Sequence, residues 1–158
     1  MRPNSEPRQL ASSLQGAVPH HAQHDLRLDD WTSWLKLSAT PTVASMSDTR
    51  RKLHIRGGRI VNAETWPTEP ASRIYVAFDD CGPVYVGQTT HPLLIRIRNH
   101  FANQRSESQR RKAGTWRFLV SAAWPDLQPG DLDRLERSAA EWLLPLRHRT
   151  GRRHPRST

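Results

Sequence analysis

From Ile74 to Val86 aliphatic residues recur at every second position on either side of a turn-forming segment, Asp79-Asp80-Cys81-Gly82-Pro83. Side chains alternate across a strand, so Ile74, Val76 and Phe78 share one face while Tyr75 and Ala77 take the other. Val84 and Val86 alternate with Tyr85 and Gly87 in the same way, and the turn joins the two runs as a hairpin. Pairing Val76 with Val86 and Phe78 with Val84 gathers the aliphatic side chains on one face and both tyrosines on the other. Gly87 then falls opposite Tyr75, where its missing side chain is expected to leave space for a ligand.

Pro92 suits the first position of a helix running to about Asn103. Leu93, Leu94, Ile97 and Phe101 occupy one arc of it, and Arg96 and His100 project together at the margin of that arc, one turn apart. A loop containing Arg110, Arg111 and Lys112 follows, then a strand from Trp116 to Trp124 and a second loop over 125–130. Asp131 is the expected N-cap of the last helix, which Pro145 limits. Leu132, Leu135, Ala139, Ala140, Trp142 and Leu143 share one arc there; Glu136 lies inside the arc and Glu141 points away. A lone carboxylate on an apolar face is costly without a partner. That partner is either an arginine such as Arg96 or Arg98, or a hard divalent cation, which prefers oxygen ligands and keeps most of its waters. The fold class is therefore α/β (α+β): order β-β-α-β-α, a three-stranded antiparallel sheet with flanking helices, over 71–148.

Residues 1–50 read as a poorly ordered N-terminal extension, with a short amphipathic helix near 26–37 marked by Leu28, Trp31, Trp34 and Leu35. That stripe packs either on the domain's own core or on a protein partner. His20, His21 and His24 read as a polar patch rather than a metal site. Met46 sits in the linker over 38–50, where a shorter product could begin without cutting the domain. In 53–61 a Gly57-Gly58 pair separates two β-branched pieces and marks a two-residue hairpin. With Arg56 and Arg59 at its tip it is either a finger on nucleic acid or a hairpin packed on the sheet edge. An extended lead-in reaches residue 70, and a basic tail occupies 149–158.

The chain has 158 residues and 35% hydrophobic content, enough for one modest core. It carries 24 Lys+Arg against 15 Asp+Glu, and from His91 onward 14 basic residues face 6 acidic ones. A cationic surface concentrated in one half suits a polyphosphate partner, and 21 arginines against 3 lysines favour bidentate phosphate contacts. The single cysteine, Cys81, excludes an internal disulfide and a Cys-rich zinc cage. No apolar stretch approaches the roughly 20 residues of a membrane span, so the expectation is a soluble protein of the cytoplasm, close to the nucleoid.

Arg73-Ile74-Tyr75, then Tyr85-Val86-Gly87-Gln88-Thr89, then Arg96-Ile97-Arg98-Asn99-His100, and finally Leu135-Glu136 with Trp142-Leu143 and Pro145 resemble, in this order, the GIY-YIG nuclease family. The second strand motif is well kept; in the first, Arg73 stands where the family has glycine. The resemblance implies a metal-dependent endonuclease that hydrolyses DNA with one divalent ion, Mg²⁺ or Mn²⁺. Tyr75, Tyr85, Arg96, His100 and Glu136 would be catalytic, with Glu136 the metal ligand and Glu141 its fallback. His148 would support the site, where the family often has asparagine. Gly87, Arg98, Arg110, Arg111, Lys112, Arg147, Arg149, Arg152 and Arg153 would bind nucleic acid, as would Arg156. Two other readings remain: a binding module on the same scaffold that does not cut, and a protein-interaction domain recruited through the Trp31/Trp34 helix.

Overall fold

The computed structural model describes residues 20–37, 48–125 and 127–145, with side chains in the first helix described from Leu28 onward. The elements in chain order are α1 (His20–Leu37), β1 (Leu53–Arg56), β2 (Arg59–Ile60), a 3₁₀ turn (Ala63–Thr65), β3 (Ser72–Asp79), β4 (Gly82–Thr89), α2 (Leu93–Ala102), α3 (Glu107–Ala113), β5 (Phe118–Trp124) and α4 (Asp131–Leu143). The strands form one antiparallel sheet of order β2-β1-β5-β3-β4, with β5 central, β3 next to it and β4 at an edge. Five strands stand where three were expected, because the 53–61 hairpin joins the sheet: Leu53 pairs with Leu119 and His54 with Phe118. Gly57 and Gly58, at φ 57° and 77°, supply the left-handed pair that a tight turn demands. Arg56 and Arg59 face each other across the tip, and the hairpin is thus the edge-packed one.

Alternation in β3 divides the interior in two. Ile74, Val76 and Phe78 face a core completed by α1 and α4, while Tyr75 and Ala77 face a second one completed by Leu93 and Ile97 of α2. The register places Tyr75 opposite Gly87 and Val76 opposite Val86 as expected, but Phe78 meets Pro83 rather than Val84. A bulge between Ala77 and Phe78 is responsible: it drops Val84 from the ladder and moves it to the tyrosine face, where it packs with the second core. The chain reverses over Asp80 and Cys81, pinned by Asp79 Oδ1, which accepts from the backbone N–H groups of Cys81 at 2.7 Å and Gly82 at 3.1 Å.

Helix ends follow the local chemistry, with shifts of one residue. Pro92 is the N-cap of α2 rather than its first residue, and Gly130, not Asp131, caps α4 at φ 90°. The basic segment expected as a loop contains α3. Its Ser106 side chain accepts from Gln109 N–H while Gln109 Oε1 accepts from Ser106 N–H, a capping box that offsets the poor core-forming content of this helix. Trp142, expected on the buried arc of α4, is 46% exposed; Leu144, just past the helix, is buried instead.

α1 is longer than its sequence stripe and belongs to the main core. Trp31 and Trp34 stack with centroids 5.6 Å apart, and Trp34 meets Trp124 of β5 edge-on at 6.4 Å. Both indole N–H groups have acceptors, Thr49 O at 2.7 Å for Trp31 and Ser138 Oγ at 3.0 Å for Trp34. Both rings are fully buried, so this stripe is not a docking surface, and a product starting at Met46 would lose part of the core. Trp34→Ala is expected to cost about 3–5 kcal/mol in urea unfolding, whereas Leu37→Ala, at an exposed position, should change it by less than ~0.5 kcal/mol.

Candidate active site

Four elements, β3, β4, α2 and α4, carry the catalytic candidates selected from sequence. Strand alternation sets Tyr75 and Tyr85 on one face, with ring centroids 6.2 Å apart. α2 crosses that face on Leu93 and Ile97, which leaves Arg96 and His100 at its border. His100 lies 5.2 Å from Tyr85, centroid to centroid. The Tyr75 phenol beside it is the main cause that raises the Arg96 pKa; burial opposes this, and Tyr85 and the Glu136 carboxylate add to it. One guanidinium therefore feels both phenols and the acidic group. Its Nε is buried and meets no acceptor among the described residues.

Glu136 arrives from the opposite side of the sheet. α4 packs Leu135, Ala139, Ala140 and Leu143 into the main core, and Glu136 within that arc is 2% exposed. One partner of its carboxylate is Gln88, on β4 immediately after Gly87 and opposite Ile74, on the face that α4 covers. The Gln88 amide nitrogen donates to Glu136 Oε1 at 3.0 Å and to Asp133 Oδ1 at 2.6 Å. Asp133, one helical turn before Glu136, is exposed. Neither Gln88 nor Asp133 was singled out from sequence, although the i, i+3 spacing of Asp133 and Glu136 already places both on one side of a helix. Glu141 is exposed and on another face.

These donors fit a divalent cation of the hard kind. Among the described residues no group of three or more His, Cys, Asp or Glu comes together, and a single carboxylate ligand suits an ion that retains most of its water. Glu136 would hold it, with Gln88 orienting the carboxylate.

Gly87 has a different part from the one expected. It is buried, and a Cβ built on it would lie 2.4 Å from both Cζ and the hydroxyl oxygen of Tyr75. The space opposite Tyr75 is filled by the Tyr75 ring itself, so Gly87 seats the phenol and leaves no ligand space there. Arg73, at the place of the family's first glycine, is buried and paired with Glu69, from Nη2 to Oε2 at 2.9 Å and from Nη1 to the Glu69 carbonyl at 3.0 Å. It thereby becomes an anchor of the strand's entry. Arg98 is exposed on α2, and Arg110, Arg111 and Lys112 are exposed on α3. Arg147, His148, Arg149, Arg152, Arg153 and Arg156 lie outside the described residues, as do 1–19 and 38–47.

Gly87→Ala should force Tyr75 aside and destabilise the protein by roughly 1–3 kcal/mol, as overpacking does. The Tyr75→Ala/Gly87→Ala double variant should recover part of that loss, read as a positive coupling in a double-mutant cycle of thermal unfolding. Additive losses would remove the seating role.

Residues 72–149 match the family model of the GIY-YIG catalytic domain. No curated protein and no solved structure matches the chain significantly.

Proposed function

Since the chain belongs, through that domain, to the GIY-YIG family, a nuclease family, we propose that it is a metal-dependent endonuclease cutting DNA by direct attack of water on phosphorus. The observation that supports this reading is the Arg96 guanidinium, which feels Tyr75, Tyr85 and Glu136 and whose buried Nε–H is unmatched among the described residues. A phosphate oxygen is the natural acceptor for such a fork, and the planar guanidinium suits the charge that grows on a pentacoordinate phosphorus.

In this reading Tyr75 takes the proton of the attacking water. Positive charge on Arg96 favours negative charge on the Tyr75 oxygen, and the seat provided by Gly87 fixes where that oxygen lies. The bond from phosphorus to the 3′ oxygen breaks as the water oxygen bonds, and the departing oxygen gains a proton from solvent. Tyr85 and His100 border the same space and hold the phosphate's approach. Bound at Glu136, Mg²⁺ or Mn²⁺ would supply positive charge to a phosphate oxygen and to the 3′ leaving oxygen. Arg98, Arg110, Arg111 and Lys112 would grip neighbouring phosphates without selecting sequence.

The test incubates plasmid, branched and single-stranded DNA with the protein and Mg²⁺ or Mn²⁺. Cleavage is expected with either ion and is expected to stop in EDTA. Arg96→Ala and Glu136→Gln should each lower the rate at least ~100-fold, on the scale of losing one transition-state donor, with thermal unfolding still cooperative. Glu141→Ala should stay within about twofold, as a surface change away from the site does. DNA binding without cleavage under any of these ions would instead make the chain a binding module on the nuclease scaffold. Equal activity of all three variants would remove the site assignment.

A further inference from the structure

Next to the site, between α2, α3 and the β3–β4 turn, lies a cavity of about 460 Å³. Water attack on a phosphodiester needs no chamber of that size. Tyr85, His100 and Trp116 form its aromatic side: His100 stacks on Trp116 with centroids 4.8 Å apart and planes at 23°, and Tyr85 lies 5.2 Å from each ring. Gln104, Gln109 and Lys112 form its polar side. The cavity therefore shares Tyr85 and His100 with the proposed chemistry and extends away from it.

The lining selects a ligand class. Small-molecule pockets begin at roughly 300 Å³, so the space accepts a planar heterocycle with part of its sugar. Aromatic walls suit a flat π face, which every nucleobase has. A base edge also needs donors and acceptors. The capping box occupies Gln109 Oε1, and Gln104 Nε2 donates to the His100 carbonyl at 2.6 Å. The Gln109 amide nitrogen, with its two N–H donors, and the Gln104 amide oxygen, an acceptor, are left for such an edge. Lys112, exposed at the rim beside Arg110 and Arg111, supplies a cation for the adjoining phosphate.

We propose that this cavity takes an unpaired nucleobase adjoining the phosphate to be cut, so that the protein prefers DNA carrying an extrahelical or single-stranded nucleotide over a fully paired duplex. The proposal rests on the nuclease reading of the neighbouring site and names its substrate class. A paired base cannot enter without being unstacked, which costs a few kcal/mol and is cheapest where pairing is already lost.

Three duplexes of one sequence test it in EDTA, where no strand is cut: fully paired, carrying one central extrahelical adenosine, and carrying an abasic residue at the same bulge. Fluorescence anisotropy should give a Kd about tenfold lower for the adenosine bulge than for either of the others, on the scale of one stacked base. Ala113 is buried and lines the cavity, so Ala113→Leu should narrow it and abolish the preference while the paired duplex keeps its Kd. Equal affinity for the abasic and adenosine bulges would overturn the inference, since a bent backbone alone would then account for binding. So would a full preference in an Ala113→Leu protein that melts as the parent does. The comparison among duplexes stands on the unaltered protein even if that variant does not fold. Equal binding of all three, together with cleavage when Mg²⁺ is added, would sink the cavity proposal and leave the nuclease reading intact; no cleavage of any DNA would sink that reading itself.

Discussion

The contact of the Tyr75 ring with the bare α-carbon of Gly87 is the constraint on which the site's geometry depends. Two neighbouring strands hold these residues in direct register, and the ring lies where any side chain at 87 would have to be. With the phenol fixed there, α2 can pack Ile97 beneath it and bring Arg96 alongside, and Tyr85 follows two residues back on the same face of β4. The strand after Gly87 then supplies Gln88, whose amide ties the edge to Glu136 and Asp133. The Glu136 carboxylate is felt across the strand by Arg96, whose pKa it helps to raise.

The electrostatic logic is sparse. Glu136 occupies an apolar arc of α4, where an ionised carboxylate is expensive unless met by a donor or a cation. Gln88 offers a neutral amide, which orients the carboxylate without cancelling its charge. The carboxylate and the Arg96 guanidinium stand close enough for each to feel the other's charge.

Much of this was legible in the chain itself. The period-two alternation gave the hairpin and the face shared by both tyrosines, and the period-3.6 arcs of α2 and α4 gave the positions of Arg96, His100 and Glu136. What was not legible arises from contacts distant in sequence. No local signal says that Leu53 will pair with Leu119, so the sheet gained two strands. The bulge that redirects Val84 depends on how β3 and β4 settle together. Gln88 and Asp133 each look like ordinary surface residues until the edge strand and α4 meet. Ser106 with Gln109 is the exception: a capping box three residues apart is visible in sequence, and it marks α3 inside what composition presents as a basic loop.

The segment that matches the family model is shorter than the part that folds around one core. Trp124 and Val120 of β5, inside the matched segment, share a core with Leu28, Trp31 and Trp34 from well before it. Transplanting the matched stretch alone onto another protein would leave an apolar sheet face open to water, an invitation to self-association. The domain is portable only with its amino-terminal helix, so a fusion or a dissection that respects motif boundaries would still cut through the fold.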